Sequence, residues 1–476
     1  MDHLSGTCDK SIAKAPSRNR VSRTVILFRG TGSEVMICRG ESGVRLPRVV
    51  LSGRGKVNES ANQDICSQFG VSAYSLFTVR APSSEPGFHT YEVMVAQENT
   101  ALAPAHCTWI PVDQIAHERF NREDSFAIVS AIREMRSYAR GLNIGPFGKP
   151  GWLEELLCWI RQEIDPLGLH MSGNIRQFNP CPTLALLRFE TDGPAVWFKA
   201  VDESNKREVS ITSVLSREFP PYLPELIATH PSLCGWLTRE CEGLTLGESA
   251  SSAAWGLAAE TLAKLQVKSL RKTSQLLSAG CIDIRLEELL KHVDAFVEVT
   301  AELMEQQRNP SPPALAKKDV IRLGVSIKKA CEDWARFKIP DALGHMDLNP
   351  LNIVVSADRC VFLDWAEAFV GPPFFAVDFL RGHCEQARPA ERSSTAAIAA
   401  GYTKPWQSVL PAAVVSKGIK LSRFLAPFAY AITTGDWWNS GRFPGPENAG
   451  YLRSLTRRMH RECQSLQGEG FICLNS

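Results

Sequence analysis

The sequence predicts an α+β chain: an α/β unit first, then a small β-rich lobe, then a larger helical lobe. Three patterns predict it. Residues 23–145 alternate short apolar runs with two helical stretches. Residues 152–242 hold several strand-like runs around one inserted helix. Beyond residue 243, apolar side chains recur at three- and four-residue spacing over 251–268, 285–306 and 319–338. At 476 residues the chain exceeds what one ordinary core organises, so more than one domain is expected.

Residues 1–22 carry Lys10, Lys14, Arg18 and Arg20 with no apolar run behind them, and read as a disordered leader rather than a secretory signal. Val25 to Phe28 and Val35 to Cys38 are apolar runs separated by Arg-Gly-Thr-Gly-Ser, which predicts a hairpin. Val49 to Leu51, Ala73 to Val79 and Tyr91 to Ala96 are further strands. Glu59 to Phe69 reads as a helix closed by Gly70, and Arg122 to Ala139 as a longer one. Gly-Pro-Phe-Gly-Lys-Pro-Gly at 145–151 reads as a linker.

A helix over Trp152 to Ile164 opens the second part, and strands follow at 175–178, 184–189 and 196–201. Thr191-Asp192-Gly193-Pro194 makes a turn between the last two. A helix over Arg207 to Arg217 precedes two edge-like runs at 226–228 and 236–239. In the helical part, the segment 343–380 interrupts the helices with short strands, and helices resume to about residue 465.

The 53 basic and 51 acidic residues leave a net charge of +2, which gives no electrostatic reason for a nucleic-acid or anionic-membrane partner. No run approaches the roughly 20 apolar residues of a membrane span. The 14 cysteines contain no C-x-x-C pair. They read as small core hydrophobes of a cytoplasmic protein, with neither structural zinc nor a disulfide framework.

Chemistry concentrates in His345-Met346-Asp347-Leu348-Asn349-Pro350-Leu351-Asn352 and in Leu363-Asp364-Trp365. Ile353 to Val355 and Val361 to Leu363 read as a hairpin turning at Asp358-Arg359, which would bring Asp364 back beside Asn352. One amide oxygen and one carboxylate there can ligate Mg²⁺, and Asp347 can orient an attacking hydroxyl or accept its proton.

His-x-Asp-x₄-Asn followed by apolar-Asp-Trp resembles the aminoglycoside phosphotransferase and choline kinase family, relatives of protein kinases. The likeness covers roughly 165–470. It implies a bilobal protein-kinase-like fold with a small lobe at 152–242 and a helical large lobe at 243–476. It also implies transfer of the γ-phosphate of ATP to a hydroxyl of a small molecule. Residue by residue, it implies Asp347 as the catalytic aspartate, Asn352 and Asp364 as metal ligands, and His345 and Asp378 as supports of the catalytic loop. On the small lobe it implies Lys199 as the lysine that holds the nucleotide phosphates, with Glu208 as its ion-pair partner. Met346, Asn349 and Leu351 depart from the family's usual residues without removing a metal or proton-handling group. Ser172-Gly173-Asn174 stands where a glycine-rich phosphate loop is expected. Asp436-Trp437-Trp438 is a candidate contact for the acceptor.

The first unit resembles the Nudix fold in Leu46-Pro47, Gly70-Val71 and Trp109-Ile110-Pro111. Its metal-binding helix should carry several glutamates. The matching stretch reads Gln63-Asp64-Ile65-Cys66-Ser67-Gln68, where only Asp64 keeps a carboxylate. The resemblance therefore implies a non-catalytic domain at 23–145. A nucleotide-binding pseudoenzyme or scaffold, with that domain reading a ligand, is the alternative to the kinase.

Overall fold

The computed structural model describes residues 21–40, 43–51, 57–82, 88–97, 106–178, 181–249, 251–387, 392–434 and 446–468. Residues 1–20 of the expected leader and the candidate contact Asp436-Trp437-Trp438 lie outside them, while Val21 and Ser22 already belong to the first strand (Val21–Arg29). The architecture is α+β. It forms two compact units, one of residues 1–204 with 227–239, the other of residues 205–226 with 240–476.

The first unit holds two sheets. β1 (Val21–Arg29), β2 (Glu34–Gly40), β3 (Gly43–Arg45), β4 (Arg48–Leu51), β5 (Ala73–Pro82), β6 (Phe88–Ala96) and β7 (Cys107–Pro111) make the first. Its order is β3-β2-β1-β6-β5, with β4 on β1 and β7 on β2. The expected hairpin is present, with Phe28 opposite Val35. Helix α1 (Val57–Phe69) ends at Gly70, whose φ of 66° is the left-handed C′ conformation a glycine adopts without strain. Helix α2 (Arg122–Ala139) starts at Asn121, whose side chain accepts from the Asp124 N–H.

Helix α3 (Trp152–Ile164) precedes the second sheet, which is built from β8 (Met171–Gln177), β9 (Ala185–Thr191), β10 (Val196–Ala200), β11 (Leu226–Thr229) and β12 (Gly235–Arg239). Its order is β11-β12-β10-β9-β8. One apolar core runs from Ile26 and Phe28 through Phe147 and Trp152 to Phe198 and Leu237. The segment expected as a linker is therefore packed. Phe147 is buried, and its N–H donates to the Pro182 carbonyl at 3.0 Å.

Two edge strands meet inside this unit. β5 ends the first sheet, and its register shifts between Ser75 and Phe77, a bulge. The buried Gln177 of β8 answers it. Its amide accepts from the Ser75 N–H at 2.8 Å and donates to the Ser75 carbonyl at 2.9 Å. The Tyr74 hydroxyl donates to Glu154 at 3.0 Å and accepts from the Gly151 N–H at 3.1 Å.

The cysteines depart from expectation at Cys66 and Cys158, which are exposed rather than in the core, and at one pair. Cys38 and Cys107 face each other across β2 and β7 and are joined as a disulfide. The two strands are far apart in sequence, so their pairing was not visible in cysteine spacing. Cys281, Cys331, Cys360, Cys384 and Cys463 are buried and not joined in a disulfide, as expected of small core residues.

The second unit is mostly helical. It contains α4 (Arg207–Glu218), α5 (Ser252–Ser269), α6 (Thr273–Ala279), α7 (Leu286–Lys291), α8 (Val293–Glu305), α9 (Lys317–Arg336), α10 (Phe374–Ala387), α11 (Arg392–Trp406), α12 (Ala412–Thr433) and α13 (Pro446–Gly468). The single helix expected over 285–306 is broken at His292 into α7 and α8. Two three-stranded sheets sit among the helices. One is β13 (Leu244–Thr245), β16 (Ile353–Val355) and β17 (Cys360–Phe362); the other is β14 (Ile282–Asp283), β18 (Ala368–Gly371) and β15 (Ala342–His345). No helix among the described residues is long and apolar enough to cross a membrane.

Replacing Gln177 by Ala leaves the Ser75 N–H and C=O buried without their partner. We expect a loss of about 1–3 kcal/mol in unfolding free energy, the usual cost of an unsatisfied buried polar group, read by urea denaturation. An unchanged midpoint would show that the two edge strands do not depend on this amide.

Candidate active site

The site begins on β15, which pairs with β18 through Ala342↔Gly371 to His345↔Ala368. Gly344 is required there, because a Cβ would lie 2.0 Å from the Phe369 ring. His345 is fully buried. Its Nε2 bonds the Leu363 carbonyl at 3.0 Å, and its Nδ1 accepts from the Asp347 N–H at 3.1 Å. A carbonyl can only accept, so Nε2 carries the proton and the ring is neutral. The Trp365 ring packs beside it, tilted by 43°, with ring centroids 4.7 Å apart.

The loop then closes on itself. The Asn349 side chain accepts from the Leu351 N–H at 3.0 Å, an Asx turn that lets Pro350–Asn352 form a single 3₁₀ turn. Asn352 donates its amide N–H groups to the Asp347 carboxylate at 3.0 Å and to the Asp347 carbonyl at 3.2 Å. Its amide oxygen is thereby turned away from Asp347. The expected hairpin forms, with Ile353 opposite Phe362, and the Leu363 N–H donates to the Asn352 carbonyl at 2.8 Å. Asp364 follows at once. It is exposed and has φ 60° and ψ 67°, a left-handed conformation rare for a side-chain-bearing residue. The loop and hairpin thus carry Asp347, Asn352 and Asp364, with Asn352 bonded to Asp347 and Asp364 next to the Leu363 that bonds the Asn352 carbonyl. An amide oxygen and a carboxylate are the hard oxygen donors that Mg²⁺ selects, so the residues present fit that ion.

Two residues not singled out in the sequence join them. The Glu367 carbonyl accepts from the Met346 N–H at 3.1 Å. The Glu367 side chain reaches solvent yet stands amid protein, and that crowding, with the charges of Asp347 and Asp364, pushes its carboxyl up to about 7 against the opposing pull of Arg207. Tyr451, from α13, is raised to about 12 by burial, with Glu367 and Asp347 contributing and Arg458 opposing. Only the short spacing from Asp364 could have flagged Glu367. Nothing local marks Tyr451.

Asp378 differs from its expected role. It is buried at the start of α10, and among the described residues its carboxylate bonds Arg381 at 2.8 Å and Arg458 at 2.6 Å rather than the loop. It joins α10 to α13. Lys199 belongs to the first unit and sits on β10, between β9 and β12, so it is not an edge lysine. Its Nζ lies 5.5 Å from the Trp236 ring centroid. Glu208 belongs to the second unit and is buried in the first turn of α4.

Residues 196–404 match the phosphotransferase enzyme family (APH), a segment that holds Lys199, Glu208, His345, Asp347, Asn352, Asp364, Glu367 and Asp378 but not Tyr451. The match supports a small-molecule kinase. No curated protein matches the chain. Among solved structures, the chain is similar to a macrolide 2'-phosphotransferase from Brachybacterium faecium, at 14% identity and a TM-score of 0.42, covering 64% of this chain and 98% of that one. It is also similar to a choline kinase from Cryptosporidium parvum, at 12% identity and 0.44, covering 68% and 95%. A choline kinase from Streptococcus pneumoniae gives 13% identity and 0.40, covering 65% and 99%.

Two outcomes follow. Asp378→Ala strands Arg381 and Arg458 without their shared carboxylate, and we expect about 3 kcal/mol of lost stability by chemical denaturation, at the low end for a broken buried pair. Glu367 binds a proton in the folded state that the unfolded chain has released between about pH 4.5 and 7. Stability without divalent metal should therefore fall as pH rises through that window, and Glu367→Gln should flatten the slope of Tm against pH. Equal slopes for the two proteins would contradict the assignment.

Proposed function

We propose that the chain is an ATP- and Mg²⁺-dependent phosphotransferase that moves the γ-phosphate of ATP to a hydroxyl of a small molecule. The observation that carries this reading is the Asp347–Asn352 hydrogen bond. It fixes the aspartate that handles the acceptor proton and, with the same amide, turns an oxygen outward for a cation. Mg²⁺, held by Asn352 and Asp364, would supply charge neutralisation of the β- and γ-phosphates.

The roles of the chain's own residues follow. Asp347 orients the acceptor hydroxyl and takes its proton as the new O–P bond forms and the bond from the γ-phosphorus to ADP breaks. His345 holds the loop by keeping its Nδ1 an acceptor. Lys199 binds the α- and β-phosphates, and Glu208 supports it. Phosphoryl transfer asks mainly for position and charge, which this arrangement supplies.

The parts fall at 23–145 for a non-catalytic Nudix-like domain, 152–242 for the kinase-like small lobe and 243–476 for the large lobe. The protein would work in the cytoplasm on ATP and a small acceptor, without nucleic acid.

The acceptor is found by incubating the protein with labelled ATP and a metabolite extract. With that acceptor, Asp347→Asn should lower kcat by about 10²–10⁴-fold, the usual contribution of a positioned base. Lys199→Met should raise KM for ATP. An unchanged rate for Asp347→Asn ends the kinase reading. ATP binding without turnover over a broad acceptor panel would favour the nucleotide-binding scaffold.

A further inference from the structure

A cavity of about 280 Å³ opens inside the first unit, and neither Lys199 nor Asp347 is among its lining residues. Helix α1, the start of β5 and the residue after β6 form one wall; β8 and the end of β9 form the other. We propose that this cavity binds a small neutral nucleobase or nucleoside.

Three observations converge on that ligand class. The first is the donor and acceptor set. Asn62, Gln97 and Asn174 bring three carboxamides to the lining, and each presents a donor beside an acceptor. That pairing matches the edge of a nucleobase, where ring nitrogens, carbonyls and exocyclic amines alternate. Asn62 Oδ1 is buried with no hydrogen-bond partner in the protein, so it calls for a donor from a guest. The second is charge. Arg176 and Glu190 line the cavity with opposite signs, Glu190 is paired with Arg188, and the Arg176 guanidinium lies over the Phe178 ring. A guest without formal charge leaves both contacts in place. The third is size, since the volume lies at the small end of ligand sites.

The β8–β9 wall is irregular. β8 and β9 pair at Met171↔Thr191 and again from Ile175↔Phe189, with the register broken between them. Gly173 sits in that break with φ 93°, and a Cβ there would meet nothing within 4 Å. A guest held by Asn174 and Asn62 would tie this break to α1. If Ser172-Gly173-Asn174 covers the phosphates of ATP, occupancy would also shift ATP affinity; that consequence alone rests on the proposed function.

Cys66 supplies the test, because it is an exposed free thiol on the cavity lining. The full chain is treated with iodoacetamide alone and with adenosine, guanosine, cytidine or uridine, and carboxamidomethylation of the Cys66 peptide is followed by mass spectrometry. At least one nucleoside should slow it about tenfold when present at about ten times its Kd. The exposed Cys158, which does not line the cavity, should react unchanged. Asn62→Leu should abolish the protection while leaving Mg–ATP binding intact. Should Asn62→Leu fail to fold, Gln97→Leu, on the lining just after β6, serves the same purpose. No protection by any nucleoside, or protection that survives both variants, overturns the proposal. The readout needs no phosphotransfer, so loss of the kinase reading and loss of this site are separately visible.

Discussion

The His345 imidazole holds the candidate active site together. It is buried, and both its ring nitrogens are used, one giving a proton to the Leu363 carbonyl and the other taking one from the Asp347 N–H. Those two partners lie on different segments, one on the loop after β15 and the other just after β17. The ring therefore sets the distance between the aspartate of the loop and the aspartate that follows the hairpin. A second proton would remove the acceptor at Nδ1 and oppose the Asp347 N–H with another donor. A glutamine could mimic one of the two bonds; a neutral imidazole makes both at a fixed span.

Asp364 shows the same constraint from the other side. Its left-handed backbone costs on the order of 1–3 kcal/mol for a non-glycine residue and persists only where the surroundings fix it. Here they do. The β16–β17 ladder holds the residue before it, and the Trp365 indole N–H donates to the Phe362 carbonyl at 3.1 Å across the turn. The strained residue is the one whose carboxylate reaches solvent. Asp378 and its two arginines work at longer range, fastening α10 to α13 and so fixing the helix that carries Tyr451.

The local parts of this site were legible in the sequence because hairpins and Asx turns are written in adjacent residues. Pro350, the turn at Asp358-Arg359 and the apolar triplets around it predict the loop and the hairpin from neighbouring residues. The contributions of Glu367 and Tyr451 were not legible. They depend on where a distant helix packs, and a glutamate or tyrosine on an amphipathic stretch looks the same wherever that stretch lands. Asp378 was recognisable as important but not as an arginine clamp, since Arg458 lies on another helix. The register that places Cys38 opposite Cys107 is likewise a property of strand pairing, not of spacing. The glycine- and proline-rich stretch at 145–151 reads as a linker by composition, yet Phe147 carries an apolar side chain that a free linker has no reason to keep.

That last mismatch has a physical consequence for the first unit. A sheet edge exposes a row of unpaired N–H and C=O groups, and a bulge exposes more. At Ser75 the partner that answers them is a side-chain amide from β8, which presents one donor and one acceptor at the spacing of a peptide group. Gln177 thus acts as one residue of a missing strand. The apolar core beneath it is continuous from Ile26 to Leu237, so the leading sheet and the β8–β12 sheet each bury surface that the other provides. Cutting the chain at 145–151 would bare Ile128, Met135, Trp152 and Phe147 on the two sides of the cut and would orphan the Ser75 peptide groups. The two sheets are therefore one folding unit in energetic terms, whatever separate origins their sequence patterns suggest.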